Sequence, residues 1–246
     1  MSVYIHGGLR SPIGVLNGQY KHMRPEILGS QVIDEIINRY TISHIDGIFC
    51  GNAVGTGGNL GRLMGLMCNL PNSVPAITVD MQCASALMSI EIAYAHIVSG
   101  IMDSAIAGGI ESSSLQPERV YASGDDREGP YKVAQFTPQD QSPLAMLKGA
   151  ERTIHKYNVT KEDLYPHIIG SHQRASAALD NPYLQSYIMP ITIDGKRCID
   201  ECIRPTMNEK LLSRMKPLLG ADSITNAGNA CLTHDGAAFV YLSNKK

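Results

Sequence analysis

One cysteine stands where a strand pattern hands over to a helical one. In Thr78-Val-Asp-Met-Gln-Cys83-Ala-Ser-Ala-Leu-Met-Ser a β-rich run ends, and residues 84–99 continue as a helix that is apolar on nearly every side. Such a helix is expected in the interior. The unpaired N–H groups and partial positive charge at a helix start favour a thiolate, the nucleophilic form of cysteine. Small residues at 84, 85 and 86 leave room for an acyl group beside the sulfur. A cysteine merely packed at a helix start has the same local sequence, since buried free thiols are common. Position leaves both readings open.

Two further segments carry unusual backbone chemistry. Ala107-Gly-Gly-Ile-Glu-Ser-Ser-Ser ends a strand candidate in paired glycines, which permit close backbone approach. Thr225-Asn-Ala-Gly-Asn-Ala-Cys-Leu-Thr-His-Asp-Gly-Ala-Ala joins turn formers to an apolar run. Each also reads as a plain turn. Gly55-Thr-Gly-Gly-Asn-Leu-Gly fits neither the dinucleotide fingerprint nor the P-loop, and reads as a turn before a helix. Cys198 and Cys202 lack a second pair at zinc spacing, so they read as structural. The histidines form no H-E-x-x-H, and no metal site is expected. Asn158-Val-Thr is a glycosylation sequon only in form, having no meaning without secretion.

The elements that must position these residues alternate between strand and helix. Val3–Ile5, Ile45–Cys50, Pro75–Val79 and Ser104–Ala107 read as short strands, the last closing in the turn Gly108-Gly109. Leu28, Val32, Ile36 and Tyr40 fall at fourfold spacing and predict a helix over 26–40; a second is expected near 60–69. Strands separated by helices predict a mostly parallel sheet with covered faces. From Ser112 to Ser142 apolar pairs nearly vanish, and a loop that long in a compact domain is functional or mobile. Thr160 and Asp163 have capping-box form and open a helix through about Leu179, with Pro166 bending it near its start. Residues 180–223 add short strands or turns and a helix near 208–218, and the run DGAAFVYLS returns to the sheet. The plan is a sheet core, an excursion from about 112 to 225, and a closing strand.

Composition narrows the function classes. A net charge of -2 offers no electrostatic footprint for nucleic acid or an anionic membrane. No apolar run approaches about 18 residues, so no span is expected. The opening MSVYIHGGLRSP lacks a secretory h-region. The six dispersed cysteines suit reduced thiols better than a disulfide framework, which points to the cytoplasm.

Together the three segments, in this order, resemble the thiolase family, over essentially the whole chain. Leu9-Arg-Ser-Pro-Ile-Gly is similar to the family's opening R-T-P-I-G, Gly51-Asn-Ala-Val to its G-N-V turn, and Arg62 falls in the following helix as expected. Ser171-His-Gln-Arg-Ala lies at family spacing from Thr160. The resemblance implies an α/β fold: one thiolase-type half, a mixed five-stranded sheet covered by helices. Residues 1–111 and 226–246 would form the sheet domain, and 112–225 an inserted loop domain that holds CoA. It further implies ping-pong acyl transfer between acyl-CoA units. Cys83 matches the nucleophile that takes the acyl group, with its own N–H in an oxyanion hole. Met146, Arg204, Leu219, Ala227 and Cys231 match CoA-contacting positions, Arg204 facing the nucleotide phosphates. The CoA thioester is the substrate, and no cofactor is implied.

The departures shape the expectation. Ala145 stands where many members carry a CoA-contacting His, and Cys231 replaces a Ser that would donate to the pantetheine arm. A thiol is the weaker donor. Around the nucleophile the family usually has C-G-S-G or C-S-S-G, whereas this chain has the slightly bulkier Cys83-Ala84-Ser85-Ala86. The chain ends just after the strand that closes the first sheet, and contains neither G-H-P nor C-x-G-G-G. The family's second half supplies the activating His, the acid/base Cys and the Asn of the other oxyanion hole. Three readings follow: an acyltransferase half completed by a separate second-half chain, a non-catalytic acyl-CoA-binding or scaffolding protein, and a fragment of a longer enzyme. The resemblance also implies self-association through this first half.

Overall fold

The computed structural model describes residues 2–55, 57–135, 137–138 and 142–246. Thr56, inside the Gly55-Thr-Gly-Gly segment, and residues 136 and 139–141 of the expected long loop lie outside the described residues. The chain divides into two compact units: Met1–Pro117 with Pro182–Cys202 and Thr233–Lys246, and Glu118–Asn181 with Ile203–Leu232.

The first unit is built on one mixed sheet. Its strands are β1 (Tyr4–Arg10), β2 (Gly14–Val15), β3 (Gly47–Gly51), β4 (Ala76–Val79), β5 (Ser104–Ser112) and, from the chain's end, His234–Ser243. Five of them lie in the order β1, His234–Ser243, β5, β3, β4; β2 pairs with the start of the closing strand as a short sixth. The closing strand is antiparallel to both β1 and β5, while β3 runs parallel to β5 and β4. Three helices flank the sheet: α1 (Pro25–Arg39), α2 (Leu60–Gly65) and α3 (Ser85–Val98). Helix α1 starts on a proline, which fixes φ where the N–H is unused, and has Glu26 in its first turn and Arg39 in its last.

Alternation along the strands sorts the core into two faces. Ile48 and Cys50 of β3, Ile106 and Ile110 of β5, and Ala237 and Phe239 pack with Leu28, Val32, Ile33 and Ile36 of α1 and Leu60 and Met64 of α2. On the other face Phe49, Ala105, Ala107 and Leu242 meet Ala93 and Ile97 of α3.

Two glycine pairs run through strands rather than ending them. β5 continues past Gly108 and Gly109 to Ser112, so the expected turn does not form. A Cβ at Gly108 would lie 2.1 Å from the Ala238 carbonyl oxygen, and one at Gly109 would lie 2.9 Å from that of Gly51. The glycines keep neighbouring backbones close, as their chemistry suggested, without breaking the ladder. β1 likewise continues through Gly7 and Gly8, where a Cβ would meet the Tyr40 ring or the Phe239 carbonyl.

The excursion expected over 112–225 is divided. Pro182–Cys202 belongs with the sheet unit, and contains α6 (Pro182–Gln185) and a two-strand ribbon, Thr192–Ile193 with Lys196–Arg197. The Arg10 guanidinium donates to both oxygens of Asp200, at 2.8 and 2.7 Å. The Ile13 N–H donates to the same carboxylate, and those of Val15 and Gln19 to Glu201. Burial alone would raise the Asp200 carboxyl, but the Arg10 and Ile13 bonds outweigh it and hold it below the usual range.

The second unit carries α4 (Ala145–Lys156), α5 (Lys161–Ala178), α7 (Glu209–Leu212) and the ribbon Arg119–Val120 with Pro130–Tyr131. Helix α4 was not anticipated. At the start of α5 the Thr160 hydroxyl accepts from the Asp163 N–H while the Asp163 carboxylate accepts from the Thr160 N–H, the capping box read from sequence. The helix is continuous through Pro166. α7 is shorter than the expected 208–218, because the chain turns and Leu218 donates to the Thr225 carbonyl instead.

Candidate active site

Cys83 sits two residues ahead of α3, in the tight turn that follows β4. Gln82 just before it adopts φ 54°, a left-handed conformation that a non-glycine residue holds only when its surroundings fix it. Ser85 does the fixing. Its hydroxyl donates to the Gln82 carbonyl at 2.6 Å and accepts from the Met81 N–H at 2.8 Å. Asp80 accepts from the Gln82 N–H, and Ala84 donates to the Met81 carbonyl. Behind the turn, a Cβ on Gly51 would lie 2.4 Å from the Ala86 nitrogen, so only glycine lets β3 end this close to the helix start.

This geometry separates Cys83 from the chain's buried thiols. Cys83 is exposed, whereas Cys50, Cys68 and Cys198 are buried. Burial, with the nearby Glu111 and Asp34 carboxylates, pushes the Cys50 and Cys68 thiols up to about 12. They are buried with their thiols held in the neutral form, while the thiol at the helix entrance is exposed. In this chain Cys83 is exposed at the start of α3 and is not packed in the core.

The helix behind Cys83 corrects a second expectation. Only Ser85, Ser89, Ala93 and Ile97 of α3 are buried, a single stripe at helical spacing. Ser89 pins the stripe to β5 by donating to the Gly108 carbonyl at 2.7 Å and accepting from the Gly108 N–H at 3.0 Å. Leu87 is 68% exposed and Tyr94 51%. Between α3 and the outer strands lies an apolar groove of about 460 Å³, lined by Ala86, Ile90, Ile5, Ala238 and Val240 among others.

The five expected CoA positions all fall in the second unit. Cys231 lines a groove of about 360 Å³ between α5 and the loop that precedes the closing strand, with His167, Ser171 and His172 on the helix side. The Arg204 N–H donates to Nδ1 of His172 at 3.2 Å, which ties that segment to the same helix. Ala227 is exposed in the loop that also bears Cys231. Met146, on α4, is exposed and Leu219 half-buried; neither lines this groove. Among the described residues no group of His, Cys, Asp or Glu is arranged to hold a metal.

Two acids that residue spacing did not single out organise these backbones. Glu111 accepts from the Asn52 side chain and from the N–H groups of Ala53, Val54 and Gly55. Glu151 does the same for the loop at 223–225. Both lie far in sequence from their partners, so no local pattern could reveal them.

The family described as thiolase, N-terminal domain, matches residues 3–246. The chain belongs to the thiolase family. The provisionally named acetyl-CoA C-acetyltransferase VraB of Staphylococcus epidermidis is 34% identical over 245 residues, covering 95% of this thiolase-family chain and 62% of the relative. Its Staphylococcus aureus counterpart is 32% identical, over 96% and 64% respectively. Among solved structures, an acetyl-CoA acetyltransferase from Bacillus anthracis aligns with TM-score 0.84 at 26% identity, over 98% of this chain and 65% of its own. Human mitochondrial 3-ketoacyl-CoA thiolase in complex with CoA aligns with TM-score 0.85 at 24% identity, a likeness of fold. This thiolase chain thus spans less than two thirds of the relatives it matches.

Proposed function

We propose that this chain is the nucleophile- and CoA-binding half of a thiolase-type acyltransferase, completed by a separate second-half chain. The observation that carries the reading is the exposed Cys83 at the entrance of α3, in a turn held by the Ser85 hydroxyl with Gln82 at positive φ. Its sulfur would attack the carbonyl carbon of an acyl-CoA. The new C–S bond forms as the bond to the CoA sulfur breaks, the thiol proton passing to the departing thiolate. The Cys83 N–H would stabilise the developing oxyanion. Met146, Arg204, Leu219, Ala227 and Cys231 are the proposed CoA contacts. The base that activates the thiol, the acid/base for condensation and the second oxyanion site would come from the partner.

The uncovered face supports a partner of that kind. Leu87 and Tyr94 are exposed on α3, and an apolar groove lies beside the same helix. A second-half domain, the part of the relatives that this chain does not span, is the proposed occupant. Self-association through the sheet unit belongs to the same proposal, since β4 forms an edge of the sheet.

The test is reconstitution. Mixed with a candidate second-half polypeptide, the chain is expected to form a stable complex and to condense acetyl-CoA in a Cys83-dependent assay. A monomer that binds none of the candidates would overturn the partner reading. Rapid condensation would exclude the non-catalytic acyl-CoA-binding or scaffolding alternative.

A further inference from the structure

Helix α4 contributes one buried acid, Glu151, 9% exposed. Its carboxylate accepts from the Ile224 N–H at 2.8 Å, the Thr225 N–H at 2.9 Å and the Ser223 hydroxyl at 3.0 Å. The Thr225 hydroxyl donates to it as well, and His155 approaches it from one turn along the helix at 3.2 Å. From this anchor the loop folds on itself. Asn229 accepts from the Asn226 N–H at 2.7 Å and donates to the Ile224 carbonyl, and Asn226 accepts from the Gly228 N–H at 2.8 Å. A Cβ at Gly228 would lie 2.6 Å from the Met215 sulfur, so the loop packs closely against Met215 here. At its far end Cys231 opens on the groove beside α5.

We infer that Glu151 is the positioning residue of the 223–231 loop, setting where Ala227 and Cys231 meet the pantetheine arm of an acyl-CoA. The inference rests on the proposed CoA reading and adds to it a residue that touches no substrate. Charge makes the anchor specific. An ionised carboxylate has only acceptors to offer, and the Ser223, Ile224 and Thr225 groups here all present donors. Desolvation would raise the Glu151 carboxyl, but the bonds from Thr225, Ile224 and Ser223 together outweigh it and hold it at about 2. Glutamine keeps the size but turns an N–H₂ toward the donors, leaving part of the cradle unmet.

The experiment compares the full chain with Glu151→Gln by hydrogen exchange and by titration with CoA and with adenosine 3′,5′-diphosphate. In Glu151→Gln the Ile224 and Thr225 amides are expected to exchange about ten- to a hundredfold faster, the range for a lost charge-assisted hydrogen bond. Peptides of the sheet unit keep their protection. CoA binding weakens about tenfold while the diphosphate, which lacks the pantetheine arm, binds as before. Thr225→Val, should Glu151→Gln not fold, moves the same readouts in the same direction by less. Unchanged amide protection overturns the inference whatever CoA does. Equal weakening of both ligands also overturns it, since that is the mark of a general loss of the unit's structure. No CoA binding by the parent protein would instead defeat the CoA reading, and the amide protection would still decide whether Glu151 sets the loop.

Discussion

The two faces of one sheet are finished differently. On one side α1 and α2 close over Ile48, Ile106, Ile110 and Phe239, and Val32, Ile33 and Ile36 retain no accessible surface. On the other, α3 covers Phe49, Ala105 and Ala107 but leaves the outer strands bare, and its own outer side carries Leu87 and Tyr94 in solvent. Both faces obey the same strand alternation, so the strands alone do not set the difference. Helix α3 is apolar on more sides than one sheet can bury. Cys83 stands at the entrance of that helix, while the buried Cys50 lies under the closed face. The contrast assigns stability to one face and, in our proposal, assembly and chemistry to the other.

Thiol reactivity breaks or sharpens this contrast most strongly. Burial and the nearby Glu111 carboxylate push the Cys50 thiol up, so it holds far less thiolate near neutral pH than an ordinary thiol. Maleimide labelling of the native chain, mapped by peptide mass, is expected to modify Cys83 and Cys231 and to spare Cys50 and Cys68 until unfolding. Early labelling of Cys50 would mean that the closed face is open in solution.

Truncations come next. Ile36→Ala on the closed face is expected to cost about 2–5 kcal/mol in denaturant unfolding, because α1 cannot collapse into the cavity left behind. Ser89→Ala removes the buried hydroxyl that serves both polar groups of Gly108 and should cost about 1–3 kcal/mol. Leu87→Ser, on the open face, is expected to change stability by less than about 0.5 kcal/mol while weakening association with a second-half chain. A large loss of stability from Leu87→Ser in the isolated chain would contradict the contrast.

Much of this was legible residue by residue. The turn carrying Cys83, the Thr160–Asp163 capping box, the α1 periodicity and the closing strand all rest on local chemistry, and local chemistry is what a sequence exposes. The failures share another cause. The residue pattern ends the first strand at Ile5 and reads Gly108-Gly109 as a turn, because the reason for Gly7-Gly8 and for that pair lies across the sheet, in the Tyr40 ring and the Phe239 and Ala238 backbone. Segment 182–202 joins the sheet unit through the Arg10–Asp200 pair, whose members stand far apart in sequence. The apolar α3 was expected inside, but hydrophobicity reports what a helix could bury, not which partner covers it. At the candidate site the proposed nucleophile, Cys83, could be named from residue types and family likeness. The supports could not: Ser85 looked merely small, and Glu111 and Glu151 gave no local sign of the loops they hold.

The most direct measurement is intact-mass spectrometry after incubation with acetyl-CoA, comparing the parent chain with Cys83→Ala in the presence of the second-half polypeptide. A single acetyl adduct on the parent chain, absent from Cys83→Ala, is the expected result. An adduct that survives the substitution, or none at all while CoA still binds, would contradict Cys83 as the acyl acceptor.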